Sequence, residues 1–164
     1  MSGQLALLLA GREHAADVGR MIDAMDAHYN GEGRTKGAAL AAAMAARTIT
    51  DGEGTRFLLA RIGGEPVGLA CFVVVRPGHR LQGVLFVKDL YTVPAARGQG
   101  VGTALMRELA RYALGHGIGR IDLTTDESNA GARRLYERLG AATQPKVMFR
   151  FDEARLSELA GVSR

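Results

Sequence analysis

Three glycines, Gly98, Gly100 and Gly102, stand at alternate positions in the stretch PAARGQGVGTALM, directly before a helical pattern. A glycine inside an element costs about 0.5–1 kcal/mol relative to alanine, so three in one turn point to a ligand that must touch backbone. A strand, a glycine-rich turn and a helix N-terminus together make an anion site. The N–H groups of the first helical turn lack intrahelical acceptors and converge there, and the helix dipole favours negative charge. Without Cβ atoms the backbone can come close to a phosphate. The expected ligand is a phosphate compound.

Two familiar phosphate motifs do not describe this loop. GxxxxGK[ST] requires a Lys-Ser or Lys-Thr pair after the glycines, and none follows. The dinucleotide pattern GxGxxG ends in Thr103 instead of glycine. Asp122 and Asp126 lie where an acidic ribose partner could stand. The elements around the loop, however, supply one strand–helix–strand crossover and no doubly wound sheet.

Those elements follow from periodicity. QLALLLA reads as a strand, and REHAADVGRMIDAMDAHY places Val18, Met21, Ile22, Met25 and Tyr29 at helical spacing. NGEGR breaks this helix, and the alanine-rich TKGAALAAAMAART starts another. TRFLLARI and PVGLACFVVV flank a glycine hairpin connection, and LQGVLFVKDLYTV is a long strand leading into the loop. GTALMRELARYALG then puts Leu105, Leu109 and Tyr112 on one helix face. RIDLTT is a strand, NAGARRLYERLG a helix and KVMFRF a last strand. The order is β-α-α-β-β-β-α-β-α-β, an α+β fold with a mixed central sheet flanked by helices. Residues 1–164 form a single domain on this reading.

Composition narrows the class. The chain has 164 residues, 47% hydrophobic and 23% charged, which is globular usage. The single cysteine, Cys71, excludes an internal disulfide and reads as a core residue of its strand. LALLLA is too short for a signal-peptide core, and no apolar run approaches the ~20 residues of a membrane span. A cytoplasmic protein without membrane contact is expected. The net charge of +4 is spread along the chain, which suits an anionic ligand better than nucleic acid. No metal site is expected.

Taken together, these residues resemble a known family. LYTVPAARGQGVG resembles the central motif of the GNAT N-acetyltransferase superfamily, [RQ]xxGx[GA] after a strand written LxVxP. Arg97, Gly100 and Gly102 fill the motif and Pro94 the proline, while Thr92 stands where valine is usual. NAGARRLYERLGA resembles the later NxxAxxxYxxxG helix, with Asn129, Ala132, Tyr136 and Gly140 in place. The resemblance covers residues 86–151, and the element order before them is also that of the family.

The resemblance implies acetyl-CoA as co-substrate. Its pyrophosphate would rest on the backbone of Gly98, Gln99, Gly100, Val101, Gly102 and Thr103, with Arg97 beside them. Its pantetheine arm would lie along Leu90, Tyr91 and Thr92 like an added strand, whose N–H groups could also polarise the thioester carbonyl. Asn129, Ala130, Gly131 and Ala132 would touch the far part of the arm. Direct transfer to a primary amine follows, with Tyr136 as the acid that protonates the departing thiolate. A homodimer is expected, and a non-catalytic acyl-CoA-binding regulator is the alternative on the same fold.

The base is open between Asp89, Glu32, His28, His79 and water. Polyamine- and thialysine-type members, whose strand reads like LEDLFVMPEYRG, come closest to VKDLYTVPAARG. They carry an acidic residue where this chain has Lys88, which counts against a cationic polyamine acceptor. Strand alternation points the neighbouring Asp89 to the opposite face.

Overall fold

The computed structural model describes residues 3–51, 54–77 and 82–161. Strand β1 (Leu5–Leu9) leads through a 3₁₀ turn into helix α1 (Ala15–Asn30), followed by α2 (Ala38–Asp51). Strands β2 (Thr55–Ile62), β3 (Glu65–Val75) and β4 (Val84–Thr92) come next. Helix α3 (Val101–Gly115), β5 (Ile121–Leu123), α4 (Ala130–Arg138) and α5 (Glu153–Ala160) complete the chain.

The sheet runs β1-β2-β3-β4-β5. Its first four strands are antiparallel, and β5 joins β4 in parallel across the α3 crossover. The β2–β3 turn is made by Gly63 and Gly64 at φ 60° and 88°, the pair of positive φ values that a two-residue hairpin loop needs.

Both faces of the sheet are covered, which is why β2 and β3 read as unbroken apolar runs instead of alternating ones. Along β2, Leu58 and Ala60 face the layer under α3, with Leu105 and Leu109. Phe57 and Leu59 face the layer under α1 and α2, with Val18, Met21 and Cys71. The expected α1 stripe is buried at Val18 and Met21 and opens out at Tyr29, which is 59% exposed. Cys71 is buried, and desolvation pushes its thiol up to about 11, so it is an inert core residue.

The expected final strand does not form. Residues 141–150 lie outside any helix or strand, and a short helix follows. Alternation in KVMFRF shows that the segment suits a strand, but a strand also needs an edge to pair with, and in this chain the segment meets none. The α+β architecture with its mixed sheet is otherwise as expected. Among the described residues, no helix is long and apolar enough to cross a membrane.

Candidate active site

The geometry begins where two strands part. Among the described residues, β5 pairs with β4 only over Leu85–Val87, so the β4 edge from Asp89 to Thr92 faces no strand on that side. Beyond it the chain makes a 3₁₀ turn at Pro94–Ala96 and enters α3 through the glycines. Gly98 and Gly100 have φ of 77° and 80°, the left-handed region that glycine enters without strain. A Cβ at either would meet nothing within 4 Å. No side chain caps this end of α3, so its first-turn N–H groups have no side-chain acceptor.

Helix α3 is held tightly on the sheet at this end. A Cβ on Gly68 of β3 would stand 2.7 Å from Val101 Cγ1 and 3.2 Å from Leu105 Cδ1. The glycine there lets the first turn of α3 sit directly on β3.

A cleft of ≈ 700 Å³ occupies the space between β4, the glycine loop and α4. Its walls include Leu90, Tyr91, Thr92, Arg97, Gly98, Gly100, Val101, Gly102 and Thr103. Asn129, Gly131, Ala132 and Tyr136 close it from α4. Gln99 and Ala130 are not part of the wall; the Gln99 amide instead donates to the Ala95 carbonyl at 3.0 Å.

Asn129 has a structural task. Its Oδ1 accepts from the Ala132 N–H at 3.1 Å, capping α4, and such a cap stabilises a helix by about 1 kcal/mol. The cap fixes the helix that carries Tyr136. Burial raises the Tyr136 hydroxyl above its ordinary value, and Tyr29 adds to the shift. The hydroxyl therefore stays protonated at neutral pH, as a proton donor must be.

Residues that the motifs did not reveal also line the cleft, among them Tyr29, Ser128, Leu135 and Arg138, and so does Asp126, which the sequence offered only as a dinucleotide partner. Tyr29 and Arg138 stand at helix ends, where no motif singles them out. His28 lines the cleft too, its ring 5.2 Å from that of Tyr29 and 5.9 Å from that of Tyr91. Arg97 Nε donates to the Thr92 carbonyl at 3.2 Å, and Arg97 Nη2 lies 3.1 Å from His28 Nε2. A guanidinium can only donate, so His28 Nε2 is the acceptor in this contact.

The other candidate bases stand elsewhere. Glu32 lies exposed beyond the end of α1 and is not in the cleft wall. His79 lies outside the described residues. Asp89 corrects the alternation argument. The β3–β4 register shifts at Cys71/Phe72, with Cys71 opposite Asp89 and Phe72 opposite Val87, so Lys88 is an extra residue in a β-bulge. The bulge turns Asp89 to the Cys71 and Tyr91 face, under α1 and α2, instead of the face that Val87 shares with α3. Lys88 Nζ meets Asp89 Oδ2 at 2.8 Å, and this hydrogen bond raises the Lys88 ammonium. The cation at Lys88 is thus offset by its neighbour. Among the described residues no cluster of three metal-ligating side chains occurs.

Comparison with known proteins places this geometry. The model of the Acetyltransferase (GNAT) family matches residues 22–141, well over half of the chain. Thialysine N-epsilon-acetyltransferase of Mus musculus is 35% identical over 81 residues, 47% of this chain and 48% of that protein. The chain spans about half the length of the curated relatives it matches. An integron cassette protein from the mobile metagenome of V. cholerae superposes with a TM-score of 0.87 at 27% identity, over 98% of each chain. AAC(6')-Iy, solved with a bisubstrate CoA analogue, shares the fold with a TM-score of 0.73 at 15% identity, over 92% of this chain and 99% of that one. The chain belongs to the GNAT acetyltransferase family.

Proposed function

We propose that the chain moves an acetyl group from acetyl-CoA directly to a primary amine. The observation that carries this reading is the single cleft that joins the uncapped glycine-loop end of α3, the unpaired edge of β4 and the Tyr136 hydroxyl. The pyrophosphate binds the first-turn N–H groups of α3. The pantetheine arm adds to β4 as a strand would, and N–H groups at Leu90–Thr92 stabilise the oxyanion that forms when the amine attacks the thioester carbonyl. As the C–S bond breaks, Tyr136 donates its proton to the thiolate. Direct transfer is favoured over an acyl-enzyme because the chain's one thiol, Cys71, is buried and held protonated.

The amine must lose its proton to attack. Of the candidates for that role, His28 is supported by its place in the cleft wall and by its free lone pair once Arg97 turns to the phosphates. His28→Gln keeps a partner for Arg97 but cannot take up a proton. Turnover should fall about 10²-fold at neutral pH, with acetyl-CoA affinity unchanged. The loss should shrink as pH rises, because solvent then supplies more of the neutral amine. A variant with wild-type turnover at pH 7 would assign the proton to water.

The reading as a whole is tested by titrating CoA into the protein calorimetrically. Binding that depends on the glycine loop supports it, and a folded protein with no affinity for CoA overturns it.

A further inference from the structure

Arg97 grips two groups that the transfer needs, and grips both at once. In the β3–β4 ladder the Val93 N–H donates to the Val67 carbonyl at 3.0 Å, and Thr92 stands opposite Gly68. Hydrogen-bonded and open pairs alternate along an antiparallel ladder. Thr92 therefore turns its N–H and carbonyl away from β3, to the free edge of β4. That carbonyl is already taken, by Arg97 Nε at 3.2 Å. Arg97 Nη2 meanwhile holds His28 Nε2 at 3.1 Å. One side chain thus covers an edge acceptor open to the pantetheine arm and the lone pair of the candidate base.

The two ends of this clasp differ in freedom. The His28 ring is set by its neighbours, edge-on to Tyr29 at 5.2 Å and tilted on Tyr91 at 5.9 Å. The Tyr91 hydroxyl in turn donates to the Ala24 carbonyl at 3.3 Å, which ties β4 to α1. Arg97 is exposed, and neither of its partners is a carboxylate. It also directly precedes Gly98 of the glycine loop. A pyrophosphate on that loop offers the guanidinium a charged, bidentate acceptor, stronger than a carbonyl or a ring nitrogen.

On the acetyl-transfer reading, we propose that Arg97 is a clasp that a pyrophosphate-bearing thioester opens, and so a specificity-determining residue. Without a pyrophosphate the clasp competes with the arm for Thr92 and with the amine proton for His28. With one, Arg97 moves to the phosphates and frees both. A thioester on a shorter arm, such as acetyl-pantetheine, finds only the fraction of protein that is already open, and its apparent affinity falls by that fraction. CoA thioesters are thereby favoured beyond the direct worth of their phosphate contacts.

Arg97→Met keeps the length of the stem and removes every donor. Its kcat/KM should fall with acetyl-CoA and rise about two- to tenfold with acetyl-pantetheine, the net worth of an exposed hydrogen bond. A residue that only binds phosphate, or only packs, would not raise the second rate. Carbethoxylation of His28 by diethyl pyrocarbonate, read by peptide mass spectrometry, follows the clasp without turnover, because the reagent needs the ring lone pair. Inorganic pyrophosphate should speed the labelling about two- to tenfold in wild type. Arg97→Met should label fast from the start and ignore pyrophosphate. Absence of acetyl-CoA turnover with every amine would refute the acetyl-transfer reading, and the His28 labelling would then decide the clasp alone. An unchanged or lower acetyl-pantetheine rate, in an Arg97→Met protein that still uses acetyl-CoA, overturns the proposal. So does His28 labelling that is equal in the two proteins and indifferent to pyrophosphate.

Discussion

Replacing Tyr136 by phenylalanine is expected to lower turnover by about 10²–10⁴-fold, the usual worth of a positioned general acid. The change removes the proton donor and almost no volume. Affinity for acetyl-CoA should therefore stay within about threefold, and kcat should carry the whole loss, the pattern of an interaction made only in the transition state. The wild-type pH profile is a second signature. Burial holds the hydroxyl protonated beyond its ordinary value, so activity should be flat on its alkaline side until pH passes that raised value, then fall as the phenol ionises. If the ring serves packing alone, the phenylalanine variant will match wild type. A kcat within about threefold of wild type would remove Tyr136 from the mechanism.

Gly100→Val should abolish CoA binding. The added Cβ meets no protein atom within 4 Å and stands in the cleft where the phosphate is to lie. Valine at φ 80° is also strained, by about 1–2 kcal/mol, so a fall in melting temperature accompanies the loss. Gly117→Val separates the two effects. Gly117 has φ 66° and open space around it, at the far end of α3, so the strain is similar and the cleft is untouched. The Gly117 variant should lose comparable stability and keep its CoA affinity. Arg97→Ala should weaken CoA by about tenfold, less than the glycine change, because backbone amides carry most of the phosphate contact. Unchanged affinity in a folded Gly100→Val protein would displace the phosphate from the loop.

The glycine loop, the β4 strand and the Asn129–Tyr136 helix were legible in the sequence because each rests on local rules. Alternate glycines before a helix, an asparagine at a helix start and a 3.6-residue apolar spacing all announce themselves within a few residues. What the sequence concealed depends on partners far away in the chain. The bulge at Lys88 is set by the register of β4 against β3, and it reverses the face on which Asp89 lies. The contact of Arg97 with His28 joins a loop to the end of a helix 69 residues earlier. KVMFRF carries the pattern of a strand, and pattern alone does not say whether an edge is there to pair with it. Helix α5 had readable signals, an Asp152 side chain that accepts from the Arg155 N–H at 2.9 Å and Gly161 in the left-handed region, but its apolar face is too short to stand out by periodicity.

The reading of the cleft as an acetyl-transfer site is tested most directly by following free thiol released from acetyl-CoA in the presence of a broad panel of primary amines. At least one amine should produce thiol at a rate that rises with amine concentration and saturates, and the acetylated amine should appear in equal amount. CoA binding with no amine-dependent thiol release across the panel would contradict the account and make the chain a binding protein on the same fold.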